Sequence, residues 1–183
     1  MKKNIIKLNI GCGDNLLDDY INIDAFKKGK GITNIDILNA NYKENSVDEI
    51  LCEHVVEHIP FKNEKIFWLE IYRILKPKAK AIIEVPDLEW ICKQFLDAKD
   101  EFDDFYKVGS KDHYFGNGKS IEHRWGILTT AFFGNQNGNG QFHYNGYTKQ
   151  KLIDIHKLIG FTSCKVIKIL NKGTQCLVAN YTK

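Results

Sequence analysis

The sequence predicts an α/β fold built on a mostly parallel seven-stranded sheet with an antiparallel C-terminal hairpin. Short apolar runs rich in β-branched residues alternate with stretches whose apolar residues recur every three or four positions. The last two runs are separated only by Asn171-Lys172-Gly173, which is typical of a hairpin turn. Five earlier runs each end at a glycine or polar residue. Parallel sheets bind ligands beyond the carboxyl ends of their strands, so these residues are candidates for a site.

The individual elements follow from the same patterns. We predict strands at residues 5–10, 20–23, 32–35, 47–52, 79–85, 161–170 and 174–181. We predict helices at residues 64–75, 88–96 and 148–158. Lys76-Pro77 is expected to end the first helix, because the residue before a proline disfavours helical backbone. Thr148 is the expected N-cap of the third helix and Gly160 its C-terminal stop.

Composition excludes several classes of protein. The chain has 183 residues, 43% of them hydrophobic and 27% charged, and we expect one domain spanning residues 1–183. A net charge of +3 is too small to indicate a nucleic-acid partner. The five cysteines form no Cys-x-x-Cys pair, so neither a disulfide scaffold nor a zinc ribbon is indicated. No apolar run could span a bilayer and no signal-peptide pattern follows Met1, so we expect a cytoplasmic protein without a membrane partner.

A glycine turn, Gly11-Cys12-Gly13, directly follows the first predicted strand. Glycine suits such a turn because a ligand close to the backbone leaves no room for a Cβ atom. A dinucleotide site would need a third glycine, a crossover helix and an acid about 20 residues further on. Here Asp24 comes only 11 residues after Gly13, and Asp14 would repel a pyrophosphate. The pattern therefore argues against a nicotinamide dinucleotide.

Acidic residues follow the second and third predicted strands. The carboxylate of Asp24 could accept hydrogen bonds from ribose hydroxyls, and that of Asp36 could accept from an adenine amine. The pocket therefore suits an adenosine ligand without phosphates, of which S-adenosylmethionine is an example.

Several segments, in this order, resemble the class I S-adenosylmethionine-dependent methyltransferases, and more narrowly their small "type 11" members, which are often found in polysaccharide gene clusters. The segments are residues 8–13, Asp24, Asp36, residues 46–58 and residues 71–77, with further matches at 142–148 and 158–161. The resemblance implies a Rossmann-like class I methyltransferase fold with S-adenosylmethionine as cofactor. The cofactor-binding residues that it implies are Gly11, Cys12, Gly13, Asp24, Asp36, Glu53, His54 and His58. Asn9 and Asn15 depart from the family pattern, standing where an acid and a third glycine are usual.

The segment from His54 to His58 also spells His-x-x-Glu-His, the pattern of a zinc protease helix. That chemistry needs both histidines on one face of a helix. Here His54 directly follows a predicted buried strand, and Pro60 would end any helix within a turn. No third ligand is evident, so we expect no metal site. For His58 a purely structural role, as a capping or core histidine, is the alternative to cofactor binding.

Residues 97–147 lie where a class I fold carries its acceptor-binding insertion, and aromatic side chains and histidines are frequent there. The alternative is that these residues only pack a lid over the cofactor. A hydroxyl acceptor needs a base to take its proton, and a neutral imidazole suits that task. His143 is our first choice for the base, and His123 is the second.

Taken together, the residues and the resemblance predict methyl transfer to a small acceptor. The family's usual genetic setting suggests a sugar or polysaccharide-precursor hydroxyl or amine. Asn9, Asn15 and the short segment before Asp24 motivate an alternative, a catalytically inert S-adenosylmethionine-binding partner or regulatory protein. A nucleic-acid methyltransferase is a third hypothesis, but the chain has no basic stripe and no Asn/Asp-Pro-Pro-aromatic signature. The oligomeric state stays open.

Overall fold

The computed structural model describes residues 5–97, 124–171 and 174–183. The strands are β1 Lys7–Ile10, β2 Ile21–Asp24, β3 Thr33–Asn34, β4 Val47–Glu53, β5 Leu75–Pro86, β6 Ser163–Asn171 and β7 Thr174–Thr182. They form one seven-stranded sheet in the order β3-β2-β1-β4-β5-β7-β6. Strands β1 to β5 run parallel to one another, whereas β7 runs antiparallel to both β5 and β6. The predicted α/β sheet with its C-terminal hairpin is confirmed.

The helices are α1 Phe61–Ile74, α2 Leu88–Leu96, α3 Arg124–Phe133 and α4 Lys149–Ile159. Three of them match the predicted helices to within a few residues, and α3 lies in the predicted insertion. Both predicted caps of α4 are confirmed. The Thr148 hydroxyl accepts from the Lys151 N–H, and Gly160 ends the helix with a φ of 97°. No helix among the described residues is long and apolar enough to cross a membrane.

Helix α1 ends before Lys76-Pro77, as predicted, but strand β5 begins earlier than predicted, at Leu75, so that Lys76-Pro77 lies within the strand. The pairing of β4 with β5 is irregular here. Val47 pairs with Leu75, and regular pairing resumes only at Glu49 and Lys80. Proline has no N–H to donate to the hydrogen bonds between strands, but a residue at an irregularity in the pairing does not need to donate. The irregularity therefore accommodates the proline within the strand.

Residues 11–20, which connect β1 to β2, contain turns and no helix. A buried amide network holds this connection. The Asn9 side chain donates to the Asn15 carbonyl at 2.7 Å and to Asn22 Oδ1 at 2.9 Å, and Asn22 Oδ1 also accepts from the Leu17 N–H at 3.0 Å. Buried polar groups need such partners. The side chain of Asn9, one of the two residues that depart from the family pattern, thus supports the turn.

The core lies between the sheet and one face of α1, where Phe67, Trp68, Ile71 and Ile74 are all buried. Their three- and four-residue spacing places them on one side of a helix. The Trp68 ring packs against Tyr181 at a centroid distance of 5.4 Å. This packing fixes the central strands, whose carboxyl ends carry the site.

All five cysteines are free thiols, as the sequence predicts. Cys12, Cys52 and Cys176 are buried, and Cys92 is exposed. Burial is the largest of the effects that raise the pKa of the Cys52 thiol well above its ordinary value. This thiol is therefore protonated at neutral pH and acts as a core residue.

Candidate active site

A cavity of about 400 Å³ opens at the carboxyl ends of β1, β2 and β4. Its lining includes six of the residues predicted from the sequence, namely Gly11, Gly13, Asp24, Asp36, His54 and His58. Cys12 and Glu53 were also predicted but are not among its lining residues. The Cys12 side chain is buried, and the Glu53 carboxylate accepts from the Asn15 side chain at 3.2 Å. We call this space the first cavity.

The glycine turn rests on the end of β2. The N–H groups of Gly11 and Cys12 both donate to the Ile23 carbonyl, at 2.8 and 3.1 Å. Gly11 has a φ of +66° and Gly13 a φ of +52°, which is the left-handed region that favours glycine. A Cβ atom on Gly11 would lie 2.2 Å from Val55 Cγ2, whereas one on Gly13 would meet no atom within 4 Å. The first glycine is thus required by packing, and the second leaves open space beside the cavity.

The Asp24 carboxylate is fixed by three backbone donors. Its Oδ2 accepts from the Gly13 N–H at 3.0 Å, and its Oδ1 accepts from the N–H groups of Phe26 at 2.9 Å and Lys27 at 2.7 Å. A carboxylate oxygen offers about two acceptor positions. These contacts use both positions of Oδ1 and leave one on Oδ2. The residue can therefore accept one further donor without rearranging the turn.

The far end of the first cavity combines one acid with apolar walls. Asp36 caps the 3₁₀ turn Ile37–Asn39 through Oδ1, which accepts from the Leu38 N–H at 3.0 Å. The described residues supply no partner for its Oδ2. Phe26, Ile35 and Ile37 line the cavity beside it. A flat apolar ring with an exocyclic amine fits these groups.

Acidic residues outnumber lysine and arginine residues in the lining of this cavity. Asp14, Asp24 and Asp36 line it, and the one lysine of the lining, Lys27, is paired with Asp14. Phosphate groups would meet unfavourable charge here, whereas a cationic ligand would not. These carboxylate acceptors thus suit an adenosine ligand that carries a positive charge and no phosphate.

His54 lies just past the end of β4, with a φ of +53° that a non-glycine residue seldom adopts. Its Nδ1 lies 3.1 Å from Glu57 Oε1, and its Nε2 lies 3.2 Å from Glu84 Oε1 and 4.0 Å from Cys176 Sγ. Burial alone would lower the pKa of this imidazole, but the hydrogen bonds with Cys176 and Glu57 outweigh it and raise the pKa to about 11. His54 is therefore an imidazolium at neutral pH and cannot act as a base.

A second cavity, of about 310 Å³, lies beside the first, next to the end of β5 and the last turn of α3. Its lining residues are Glu57, Phe61, Pro86, Leu88, Ile91, Ala131, Phe132, Phe133, His143, Tyr144, Asn145, Gly146 and Tyr147. Most are apolar or aromatic, with a few polar groups. This combination is typical of small-molecule sites. We call it the second cavity.

Two histidines separate the cavities: His58 lines the first, and His143 lines the second. Their rings meet edge to face with centroids 4.7 Å apart. His58 Nδ1 lies 2.8 Å from the Phe142 carbonyl, and His143 Nδ1 lies 3.0 Å from the Ala131 carbonyl. A carbonyl only accepts, so each Nδ1 carries hydrogen, and no hydrogen bond among the described residues engages either Nε2.

Burial is the main cause that lowers the pKa of His143 below its ordinary value, so this imidazole is neutral at neutral pH. This is the charge state that a general base needs. His123, the other histidine predicted as a base, lies outside the described residues.

Sequence reasoning missed Glu57, which is only 1% exposed. Its Oε1 faces His54, whereas its Oε2 is buried with no hydrogen-bond partner among the described residues. Its main-chain carbonyl accepts from the N–H groups of Tyr144 and Asn145 at 2.7 and 3.1 Å. The pattern His-x-x-Glu-His contained the signal, but the sequence alone did not show that Glu57 is buried or that His143 packs beside it.

Comparison with known proteins agrees with this geometry. Residues 8–83 match a protein family described as a methyltransferase domain. An uncharacterized protein of Methanocaldococcus jannaschii is 32% identical over 117 residues, which are 57% of this chain. The chain spans about half of that relative's length, since the match covers 48% of it.

Solved structures share the fold at low sequence identity. A Burkholderia thailandensis 1,6-didemethyltoxoflavin-N1-methyltransferase, bound to its substrate and S-adenosylhomocysteine, is 13% identical, with a TM-score of 0.61 over 99% of this chain and 72% of its own. An S-adenosylmethionine-dependent methyltransferase of Methanosarcina mazei is 13% identical, with a TM-score of 0.60 over 100% of this chain and 94% of its own. The chain therefore shares its fold with these methyltransferase structures, and residues 8–83 are similar to the methyltransferase domain family.

Proposed function

We propose that this chain transfers a methyl group from S-adenosylmethionine to a hydroxyl or amine of a small acceptor. The observation that carries the proposal is the pair of adjacent cavities separated by His58 and His143, whose rings are 4.7 Å apart. A methyl donor in the first cavity and an acceptor in the second would then meet across a short distance. Holding two reactants in line is the largest advantage that an enzyme has for such a displacement.

The first cavity supplies groups for each part of the cofactor. Asp24 Oδ2 would accept from one ribose hydroxyl, and Asp36 would accept from the adenine amine between Phe26 and Ile37. The glycine turn would border the methionine end. When bound, S-adenosylmethionine supplies an electrophilic methyl group on a sulfonium ion.

The second cavity suggests the kind of acceptor. Aromatic side chains such as Phe133 and Tyr144 can pack on the apolar face of a ring, and Asn145 can orient a polar substituent. A sugar or polysaccharide-precursor hydroxyl or amine is the first acceptor class to test. The residues of α3 and the 143–147 segment, both within the predicted insertion, would then form the acceptor side.

His143 is the group that would take the acceptor's proton. Its Nδ1–H is held by the Ala131 carbonyl, so the Nε2 lone pair is available, and the ring is neutral at neutral pH. A well-placed general base contributes about 10²–10⁴ in rate.

The test begins with cofactor binding. Calorimetry with S-adenosylmethionine should show binding to the wild-type chain, weakened about 10–150-fold in Asp24→Ala, because a hydrogen bond to a charged group contributes about 1.5–3 kcal/mol. Asp154→Ala is the matched control, because Asp154 is an acid on α4 outside both cavities, and its affinity should equal that of the wild type. Equal affinity in wild type and Asp24→Ala would contradict the cofactor assignment.

The second stage measures chemistry. Incubation with S-adenosylmethionine and a panel of sugars, nucleotide sugars and amino sugars should release S-adenosylhomocysteine, detected by mass spectrometry together with the methylated acceptor. Cofactor binding without product from any acceptor would instead favour the inert binding protein.

A further inference from the structure

We propose that Glu57, His58 and His143 form a binding site for a divalent transition-metal ion in the wall between the two cavities. Each of the three residues offers a ligand atom, and these atoms all lie within 4.8 Å of one another. Two imidazoles and one carboxylate from a compact cluster are a donor set that suits zinc, iron(II), cobalt(II) or manganese(II).

Both imidazoles are already oriented for metal binding. A ligating histidine nearly always donates its other ring N–H to a carboxylate, a carbonyl or a water molecule, which fixes its tautomer. His58 and His143 make such bonds to the carbonyls of Phe142 and Ala131, at 2.8 and 3.0 Å. No hydrogen bond within the described part of the chain engages either Nε2. Each lone pair is therefore available to an ion.

Glu57 supplies a second, independent observation. The residue is only 1% exposed, and its Oε2 is buried without a hydrogen-bond partner among the described residues. Leaving a charged acceptor buried and unsatisfied costs more than the roughly 1–3 kcal/mol of a neutral group. Its other oxygen is held by His54 at 3.1 Å, which orients the carboxylate. A cation bound through Oε2 would satisfy this atom.

A neighbouring cluster shows by contrast what a satisfied arrangement looks like. His54, Glu84 and Cys176 also bring ligand atoms within 4.8 Å of one another. There, however, both His54 nitrogens face carboxylates, and Glu84 Oε1 also accepts from the Asn171 side chain at 2.6 Å. These groups satisfy one another, so the cluster needs no ion. The unsatisfied Glu57 oxygen therefore favours the cluster of Glu57, His58 and His143 as the site for an ion.

The position of the site suggests its use, and this part of the inference rests on the proposed function. Three protein ligands leave coordination positions open, and Glu57 and His143 both line the second cavity. An acceptor hydroxyl held at an open position would be more acidic and would release its proton to bulk water. Its oxygen would then bond to the methyl carbon as the bond between that carbon and sulfur breaks, which leaves S-adenosylhomocysteine. In the metal-loaded protein His143 is then a ligand, and the base role proposed above belongs to the metal-free protein.

Cobalt(II) titration tests the site directly. The full chain without an affinity tag, stripped with a chelator, should bind one equivalent of cobalt(II) with visible absorption bands, and zinc(II) should displace it. His143→Ala and Glu57→Gln should each weaken binding at least about 100-fold, because even the loss of an outer-shell partner costs 10–100-fold. His156→Ala is the matched control, because it removes a histidine on α4 outside both cavities, and it should bind as tightly as the wild type.

Two results would overturn the proposal: no cobalt(II) bands in the wild-type chain at stoichiometric metal, or unchanged binding in His143→Ala. Circular dichroism of each variant shows whether it is folded, and His58→Ala replaces any variant that is not. S-adenosylmethionine affinity is measured on the same metal-free samples. Metal binding without cofactor binding would refute the proposed function alone, and cofactor binding without metal binding would refute the metal site alone.

Discussion

Replacing Gly11 with alanine should destabilise the protein by an amount that the structure allows us to work out. Gly11 has a φ of +66°, where an L-residue costs about 1–2 kcal/mol. The added Cβ would also lie 2.2 Å from Val55 Cγ2, and β-branched Val55 has little rotamer freedom to move away. Overpacking of this kind costs about 1–3 kcal/mol. The expected loss is therefore about 2–5 kcal/mol in the free energy of unfolding.

For a chain of this size such a loss corresponds to a fall of about 4–20 °C in Tm, measured by differential scanning calorimetry. Gly13→Ala is the matched control, because its φ is +52° but its Cβ would meet no atom within 4 Å. It should therefore lose only the backbone contribution of about 1–2 kcal/mol.

A double-mutant cycle separates the two contributions. With Val55→Ala the methyl group at 2.2 Å is removed and the Val55 Cβ at 3.5 Å becomes the nearest atom of that side chain. Gly11→Ala should then cost about 1–3 kcal/mol less in the Val55→Ala background than in the wild type. A Gly11→Ala variant as stable as Gly13→Ala, or a cycle with no coupling, would refute the packing argument.

Three further predictions concern the base, the amide network and the Tyr20 hydrogen bond. His143→Gln should lower metal-free turnover about 10²–10⁴-fold with cofactor affinity unchanged, and equal turnover would remove this residue from the mechanism. Asn9→Ala leaves the Asn15 carbonyl without the Asn9 donor and should lower the free energy of unfolding in urea by about 1–3 kcal/mol. An unchanged free energy of unfolding would show that the loop does not depend on the network. The hydrogen bond to Glu49, followed by burial, raises the pKa of Tyr20 from 10 to about 12 in the folded protein. The stabilisation from this hydrogen bond is therefore fully present below pH 10 and is lost as the pH rises to 12. The difference in free energy of unfolding between wild type and Tyr20→Phe should accordingly fall to zero over that range. A constant difference would contradict this prediction.

The strand ends were predictable because each apolar run in the sequence is directly followed by a polar residue or a glycine. Asp24 and Asp36 each follow an apolar run, and the parallel sheet brings them to one cavity. Cys12 and Glu53 carry the same local marks, yet neither is among the residues that line it. Which side chain faces a cavity depends on strand pairing and on turn geometry. The Glu53 carboxylate, for example, accepts a hydrogen bond from Asn15, which lies 38 positions earlier in the sequence.

The remaining differences also have long-range causes. Pro77 correctly indicated the end of helix α1, but the sequence did not show that the next strand already begins at Leu75, where an irregular pairing with β4 accommodates the proline. Glu57 and His143 belong to one cluster although they are far apart in sequence, because the Glu57 carbonyl accepts from the two residues that follow His143. A periodicity argument extends over one turn of helix or one strand and cannot detect such contacts.

The double hydrogen bond on the Glu57 carbonyl has a mechanical consequence. These two main-chain hydrogen bonds join the short turn Val56–His58 to the segment at Tyr144 and Asn145. A displacement of one segment must therefore displace the other. The turn contributes His58 to the first cavity, and the other segment contributes Tyr144 and Asn145 to the second cavity. We therefore expect a ligand in one cavity to make the backbone around the other cavity more rigid. A ligand in the first cavity should slow backbone amide exchange at Tyr144 and Asn145, which line the second cavity.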